Sequence, residues 1–171
     1  MTPYKHTQIG YLMGVMTPYK HTQIGYLMGL VTFVVLAIFL WAQITARMEP
    51  PSYDSGTNFA MTALMLLSLF VLASFSTLTV VVDEQFLSIC FGWGVFRKKF
   101  LVSEMASVAR VKNRWYYGWG IRVCSWPKMW IFNVSGFDAV EIVLKNRTIY
   151  RIGTDESEKL ESAIKEAMNA V

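Results

Sequence analysis

Charge is what this sequence has least of. Only 16% of its 171 residues are charged, where soluble domains carry roughly 25%. A disordered chain needs low hydrophobicity and high net charge, so disorder is excluded. Cysteine is almost as scarce. Cys90 and Cys124 can build neither a disulfide framework nor a four-cysteine zinc site. Nothing in the sequence is placed to activate them, so they read as buried, inert thiols. The two histidines, His6 and His21, fall short of the three or four ligands zinc needs. No metal and no cofactor is expected. Signatures of catalysis are missing too. There is no Gly-x-Ser-x-Gly, no phosphate loop and no dinucleotide fingerprint. Gly92-Trp93-Gly94 and Gly118-Trp119-Gly120 read as turns. Glu104, Asp138 and Glu141 are scattered, with no visible pair for acid–base work. The expectation is a protein that is not an enzyme.

What is present is apolar surface. Hydrophobic residues make up 54% of the chain, with 11 Phe, 8 Tyr and 6 Trp. Such a composition favours a small domain carrying a membrane anchor over a wholly soluble domain. The formal net charge of +4 suits an anionic membrane surface better than a nucleic-acid partner, which would call for a concentrated basic face.

The chain opens on a repeat. MTPYKHTQIGYLMG occupies residues 1–14 and returns unchanged at 16–29. Two copies of a 15-residue unit are too short and too few for a solenoid. The first copy cannot span a bilayer, because its apolar run ends at Pro18 and Lys20 and a span needs roughly 20 residues. Residues 1–22 therefore read as a dispensable tail, and Met16 as a possible natural start.

Two uncharged runs follow. The first, Ile24 to Ile44, is long enough for a hydrocarbon core of roughly 30 Å. Tyr26 and Trp41 lie near its ends, where amphipathic rings prefer the interface. A cleaved leader would have a shorter apolar core and a small-x-small site, so a retained helix is expected. Pro50-Pro51 and the turn formers after it break the chain. The second run starts at Phe59. Its tail, Thr77–Val82, is β-branched and alternates, which reads as a strand; the helix is expected to end near Ser76. Residues 23–76 thus form an expected transmembrane hairpin, with spans at about 24–44 and 59–76. Lys5 and Lys20 before it, and Arg97, Lys98 and Lys99 after it, place both termini in the cytoplasm. Neither span holds an ionisable group, which argues against an ion or proton pathway. Gly25 and Gly29 have the spacing that lets helices pack closely, within the hairpin or between copies.

Residues 77–171 alternate short strands with turns. Strands are expected at Thr77–Val82, Phe86–Phe91, Val95–Leu101, Met105–Lys112, Met129–Val134, Ala139–Leu144 and Arg147–Ile152, with a short piece at Ile121–Cys124. About seven strands so arranged mark a small β-barrel or sandwich. The period then changes. Leu160, Ala163, Ile164, Ala167 and Met168 form one apolar stripe of a C-terminal helix, capped by Thr154 or Asp155. The fold class expected is therefore a membrane protein of α+β type.

TLTVVVDEQFLSICFGWGVFRKKF, GWGIR at 118–122 and AVEIVLKNRTIYRIGTDESEKLESAI at 139–164 resemble bacterial pleckstrin-homology (PH-like) domains attached to membrane helices. The resemblance covers roughly residues 77–168. It implies seven strands followed by one helix, and binding of a partner rather than a reaction. Eukaryotic relatives often grip phosphoinositides with basic residues at the first hairpin. Here that turn is the acidic Asp83-Glu84-Gln85, so this property does not carry over.

Candidate contacts are basic and aromatic. Arg110, Lys112 and Arg114 sit two apart, as do Arg97 and Lys99, so each set shares a strand face. Lys98 lies between the latter. Trp115, Tyr116, Tyr117, Trp119, Trp126 and Trp130 lie close in sequence. Arg97, Lys98, Lys99, Arg110, Lys112, Arg114, Trp115 and Trp119 could hold anionic lipid headgroups or a protein partner; equally, the cations could form a solvated face and the rings fill the core. The expected protein is an inner-membrane interaction module with a lipid bilayer, anionic lipid, a protein or a second copy as partner. The alternative is an accessory subunit of a membrane enzyme or transport complex.

Overall fold

A computed structural model describes residues 18–48, 55–124 and 128–170. Nine strands and three α-helices lie within them. Strand β1 is Tyr19–Ile24, helix α1 Tyr26–Met48 and helix α2 Ser55–Ser74. Then come β2 (Thr77–Val82), β3 (Phe86–Phe91), β4 (Phe96–Leu101), β5 (Met105–Lys112), β6 (Gly120–Cys124), β7 (Met129–Asn133), β8 (Asp138–Leu144), β9 (Ile149–Gly153) and helix α3 (Ser157–Ala170).

The strands form two sheets, β1-β2-β3-β4 and β5-β8-β9-β7-β6. No ladder joins them, so of the two forms expected, barrel or sandwich, no closed barrel forms among the described residues. The connection from β4 to β5 is a 3₁₀ turn at Val102–Glu104, which separates the strands instead of pairing them. The sheets share one core. Leu78, Val80, Val82, Leu87, Ile89 and Phe91 from the first meet Phe132, Val140, Ile142 and Ile152 from the second. The strict in–out alternation of β2 and β3 follows from the two-residue period of a strand. The second sheet departs from a plain succession of hairpins, because β7 pairs with β9 in parallel.

Helix α3 lays the expected stripe on this core. Leu160, Ile164 and Ala167 are fully buried. Thr154 Oγ1 accepts the Glu156 N–H at 3.1 Å, satisfying a donor just ahead of the first helical turn. Glu161 is held below the usual carboxylate range by Lys165 and Arg110.

The main difference from the sequence reading lies at the front. Residues 19–24 belong to neither tail nor span. They form β1, in register with β2 from Tyr19↔Val82 to Ile24↔Thr77. Helix α1 therefore starts at Tyr26, not Ile24, and runs on to Met48; α2 occupies Ser55–Ser74 instead of ending at Ser76. The remainder of the expected tail, residues 1–17, lies outside the described residues. Between β1 and α1, the Gly25 N–H donates to the Ser76 carbonyl at 2.7 Å, and the Gly25 carbonyl accepts the first helical bond from Gly29. A Cβ on Gly25 would sit 2.9 Å from the Val134 carbonyl oxygen, so no larger residue fits this junction. Gly29 has open space around it and packs against nothing in the hairpin.

This arrangement separates two truncations. A chain beginning at Met16 keeps β1 and should unfold at the same temperature as the full chain. A chain beginning at Tyr26 loses the whole β1–β2 ladder and should be destabilised by on the order of a few kcal/mol, at about 1 kcal/mol per backbone bond. Thermal unfolding in detergent measures both.

Candidate functional site

The β module has two unlike ends. Helices α1 and α2 leave from one of them. Around that root lie Gly92–Val95, Asn113–Trp119 and Val134–Phe137; the link from β9 to α3, with Asp155 and Glu156, leaves from the same end, the Thr154 N–H donating to the Asp138 carbonyl. Gly92 donates its N–H to the Thr77 carbonyl, and Asn113 donates to the Phe137 carbonyl. Gln23 Nε2 donates to the Ser135 carbonyl at 3.1 Å. Gly92–Val95, Asn113–Trp119 and Val134–Phe137 together hold Trp93, Trp115, Tyr116, Tyr117, Trp119 and Phe137, with one arginine, Arg114. The opposite end is built from Asp83–Gln85, Val102–Glu104 and Lys145–Thr148, tied together by Val102 N–H to Gln85 and Lys145 N–H to Glu104. Those three segments hold no aromatic residue, three acids (Asp83, Glu84 and Glu104) and two bases (Lys145 and Arg147).

Many of the root aromatics are outside the core. Trp93 is 75% exposed and Trp115 is 78% exposed; Val95, Tyr116 and Phe137 are also exposed. Large apolar side chains gathered on one face of a folded module mark a contact surface. The Phe75 ring lies 5.5 Å from Phe91, so the root itself is anchored in the core.

The eight residues singled out from sequence separate into distinct places. Arg97 and Lys99 are exposed on the outer face of β4, beside Leu101. Lys98 points the other way. Its Nζ donates to Tyr150 Oη at 3.1 Å and lies 4.4, 5.0 and 5.5 Å from the centres of the Tyr150, Trp130 and Phe100 rings. The lysine thus bridges β4 to β7 and β9, where the two sheets are not hydrogen-bonded. Arg110 is taken up by α3, 3.1 Å from Glu161 and 3.5 Å from Glu158. Lys112 is exposed at the end of β5, in register with Asp138. Arg114 donates to Tyr116 Oη at 2.8 Å, a bond that raises the guanidinium's pKa further. Trp115 stands in the adjoining 3₁₀ turn. Trp119 lines a groove described next. Trp126 lies outside the described residues. The structure thus gathers Arg114, Trp115 and Trp119 at the root, with Lys112 at its margin and the Arg97 guanidinium against Gly94, and leaves Lys98, Lys99 and Arg110 elsewhere.

The groove runs between the hairpin root and the edge strand β6. It has a volume of about 560 Å³ and is lined by Met28, Val71, Leu72 and Phe75 from the helical side and by Trp119, Gly120, Ile121, Arg122 and Val123 from the sheet. Arg122 is a residue the sequence reading passed over as a site. Its place in Gly118–Arg122 was legible as a turn entering a strand, but its neighbours come from residues far away in the chain.

At the other edge, β1 is tied to α3. His21 Nε2 lies 2.6 Å from Asp155 Oδ1, and Nδ1 lies 3.4 Å from Glu156. Tyr19 Oη approaches Glu156 at 3.5 Å. Burial, with the Glu156 charge beside it, pushes the Tyr19 phenol up. Lys159 holds Glu156 below the usual carboxylate range. Among the described residues, no group of three or more His, Cys, Asp or Glu side chains is arranged to hold a metal ion. No known family matches the chain, and neither does any curated protein or solved structure.

The two roles of the basic run on β4 can be separated. Lys98→Ala should cost about 1–2 kcal/mol, the scale of a partly buried cation–π contact and its packed stem. Arg97→Ala and Lys99→Ala should each stay within about 0.5 kcal/mol. Urea unfolding of the three variants in detergent measures the difference.

Proposed function

We propose that this chain is a membrane-anchored, non-enzymatic interaction module. In this reading α1 and α2 cross the bilayer as an antiparallel hairpin and hold the β module on the cytoplasmic face of a bacterial inner membrane. The observation that carries it is the ladder between β1 and β2. One strand precedes the hairpin and the other follows it, so both lie on one side of any membrane the hairpin enters. Residues Tyr26–Ala46 are long and apolar enough to cross, with none of the span buried. A core helix of a soluble domain would be covered; this one is not. If α1 crosses, α2 must return. The apolar part of α2, Phe59–Ser74, is shorter, but the whole helix of 20 residues reaches about 30 Å at 1.5 Å per residue. Gln43 Nε2 donates to Thr62 Oγ1 at 3.1 Å, joining the far half of α1 to the start of α2. A leader cleaved after α1 would take β1 out of its sheet, which supports a retained helix.

The β module supports a PH-like reading in a specific form. With β6 and β7 set aside, β1–β4 and β5-β8-β9 make seven strands, followed by α3. The membrane hairpin is then an insertion between β1 and β2, and β6–β7 an insertion between β5 and β8. The aromatic root fits the headgroup layer, where Trp and Tyr are favoured.

Side-specific labelling tests this topology. In a chain with Cys90 and Cys124 replaced by serine, Lys20→Cys and Lys145→Cys should react with a membrane-impermeant maleimide from the cytoplasmic side only, and Met48→Cys from the other side only. Labelling of Lys20→Cys and Lys145→Cys from opposite sides would overturn it.

A further inference from the structure

Resting on the membrane reading above, we infer that the groove between the hairpin root and β6 is a binding site for one anionic phospholipid of the surrounding leaflet. Its phosphate sits on Arg122 and its acyl chain lies along Met28, Val71, Leu72 and Phe75. The lining is divided in that sense. The helical wall is wholly apolar, and the sheet wall offers a single cation and no acid. Arg122 is exposed and makes no hydrogen bond or ion pair among the described residues. By contrast, Arg110 and Arg151 are held by glutamates and Arg114 by a tyrosine. The Arg122 guanidinium is carried back over the loop before β6: a Cβ on Gly118 would lie 3.0 Å from its Nη2, so Gly118 leaves the space it needs.

Depth agrees with charge. Met28 is in the first turn of α1, and Val71 and Leu72 are in the last turn of α2. A hairpin that crosses the bilayer puts these residues at the boundary of hydrocarbon and headgroups. Arg122 is then level with the phosphates, and the groove opens toward the acyl region. Basic pockets beside membrane helices on the cytoplasmic side take acidic headgroups this way. A guanidinium adds paired donors that match phosphate oxygens. Strand β6 is the outer member of the β6–β7 insertion, so the site is built by a segment outside the seven-strand core.

The test uses the full chain, recovered in nanodiscs of phosphatidylcholine containing a minor share of phosphatidylglycerol. Native mass spectrometry after release reads the lipid retained. The expected result is retention of phosphatidylglycerol over phosphatidylcholine. Arg122→Gln should reduce that preference roughly tenfold, the scale of one charge-assisted hydrogen bond, and Arg122→Lys should keep part of it. Met28→Trp, which fills the apolar wall, should lower retention of both lipids. Lys145→Gln, at the far end, should change nothing. A preference unchanged in Arg122→Gln, or lost equally in Lys145→Gln, would overturn the site. Failure of the chain to enter nanodiscs at all would instead remove the membrane reading, and the site with it.

Discussion

Six residue pairs joining β1 to β2 hold the whole arrangement together. They bring the two ends of a long helical excursion within one hydrogen bond of each other, Gly25 N–H to the Ser76 carbonyl. Closing so large a loop costs little more than closing a modest one, because the entropy grows only with the logarithm of length. A ladder of backbone bonds can offset it. The consequences are geometric. The helices are forced to run antiparallel, their root is fixed against Val134 and Phe75, and the β module cannot swing freely beneath them. Gly25 is the residue that permits this, since its backbone touches both neighbouring segments.

That constraint gives the β module an orientation, and its chemistry follows the orientation. The connections Gly92–Val95, Asn113–Trp119 and Val134–Phe137 beside the helices collect aromatic rings; the turns Asp83–Gln85, Val102–Glu104 and Lys145–Thr148 hold none. Neither burial nor strand propensity requires such a division, because both ends are made of turns. A headgroup layer would favour it, because aromatic rings settle at the boundary. The far side of the sheets is closed by other means. Helix α3 covers one open seam, and Lys98 under three rings covers another.

Much of the fold was legible in the sequence. The alternation TLTVVV and FLSICF reads directly as half-buried strands, and it is matched residue by residue in β2 and β3. The stripe Leu160, Ile164, Ala167 has the helical period, and those residues are buried. What was missed has definite causes. The inward positions of β1 are Tyr19, His21 and Gln23; Tyr19 packs against the core but His21 and Gln23 are polar, so no apolar alternation marks the strand, and its backbone ladder and contacts to α3 help to hold it in place. The segment also runs straight into an apolar stretch, which masks its end. Lys98 looked like part of a solvated basic run. The alternation Phe96, Lys98, Phe100 was the available signal that it points inward. The parallel pairing of β7 with β9, and the groove at Arg122, join residues with no local mark of their association.

The central claim is that the strand slot beside β2 is filled by residues 19–24 from across the hairpin. The most direct measurement is a disulfide placed across that ladder in native membranes. Thr22 and Thr79 are directly opposed, with hydroxyl oxygens 2.9 Å apart. In a chain whose two natural cysteines are serine, Thr22→Cys with Thr79→Cys should oxidise almost completely to an intrachain disulfide. Thr7→Cys with Thr79→Cys, the matching position in the first copy of the repeat, should not. Absence of the first disulfide, or equal formation of the second, would contradict the account.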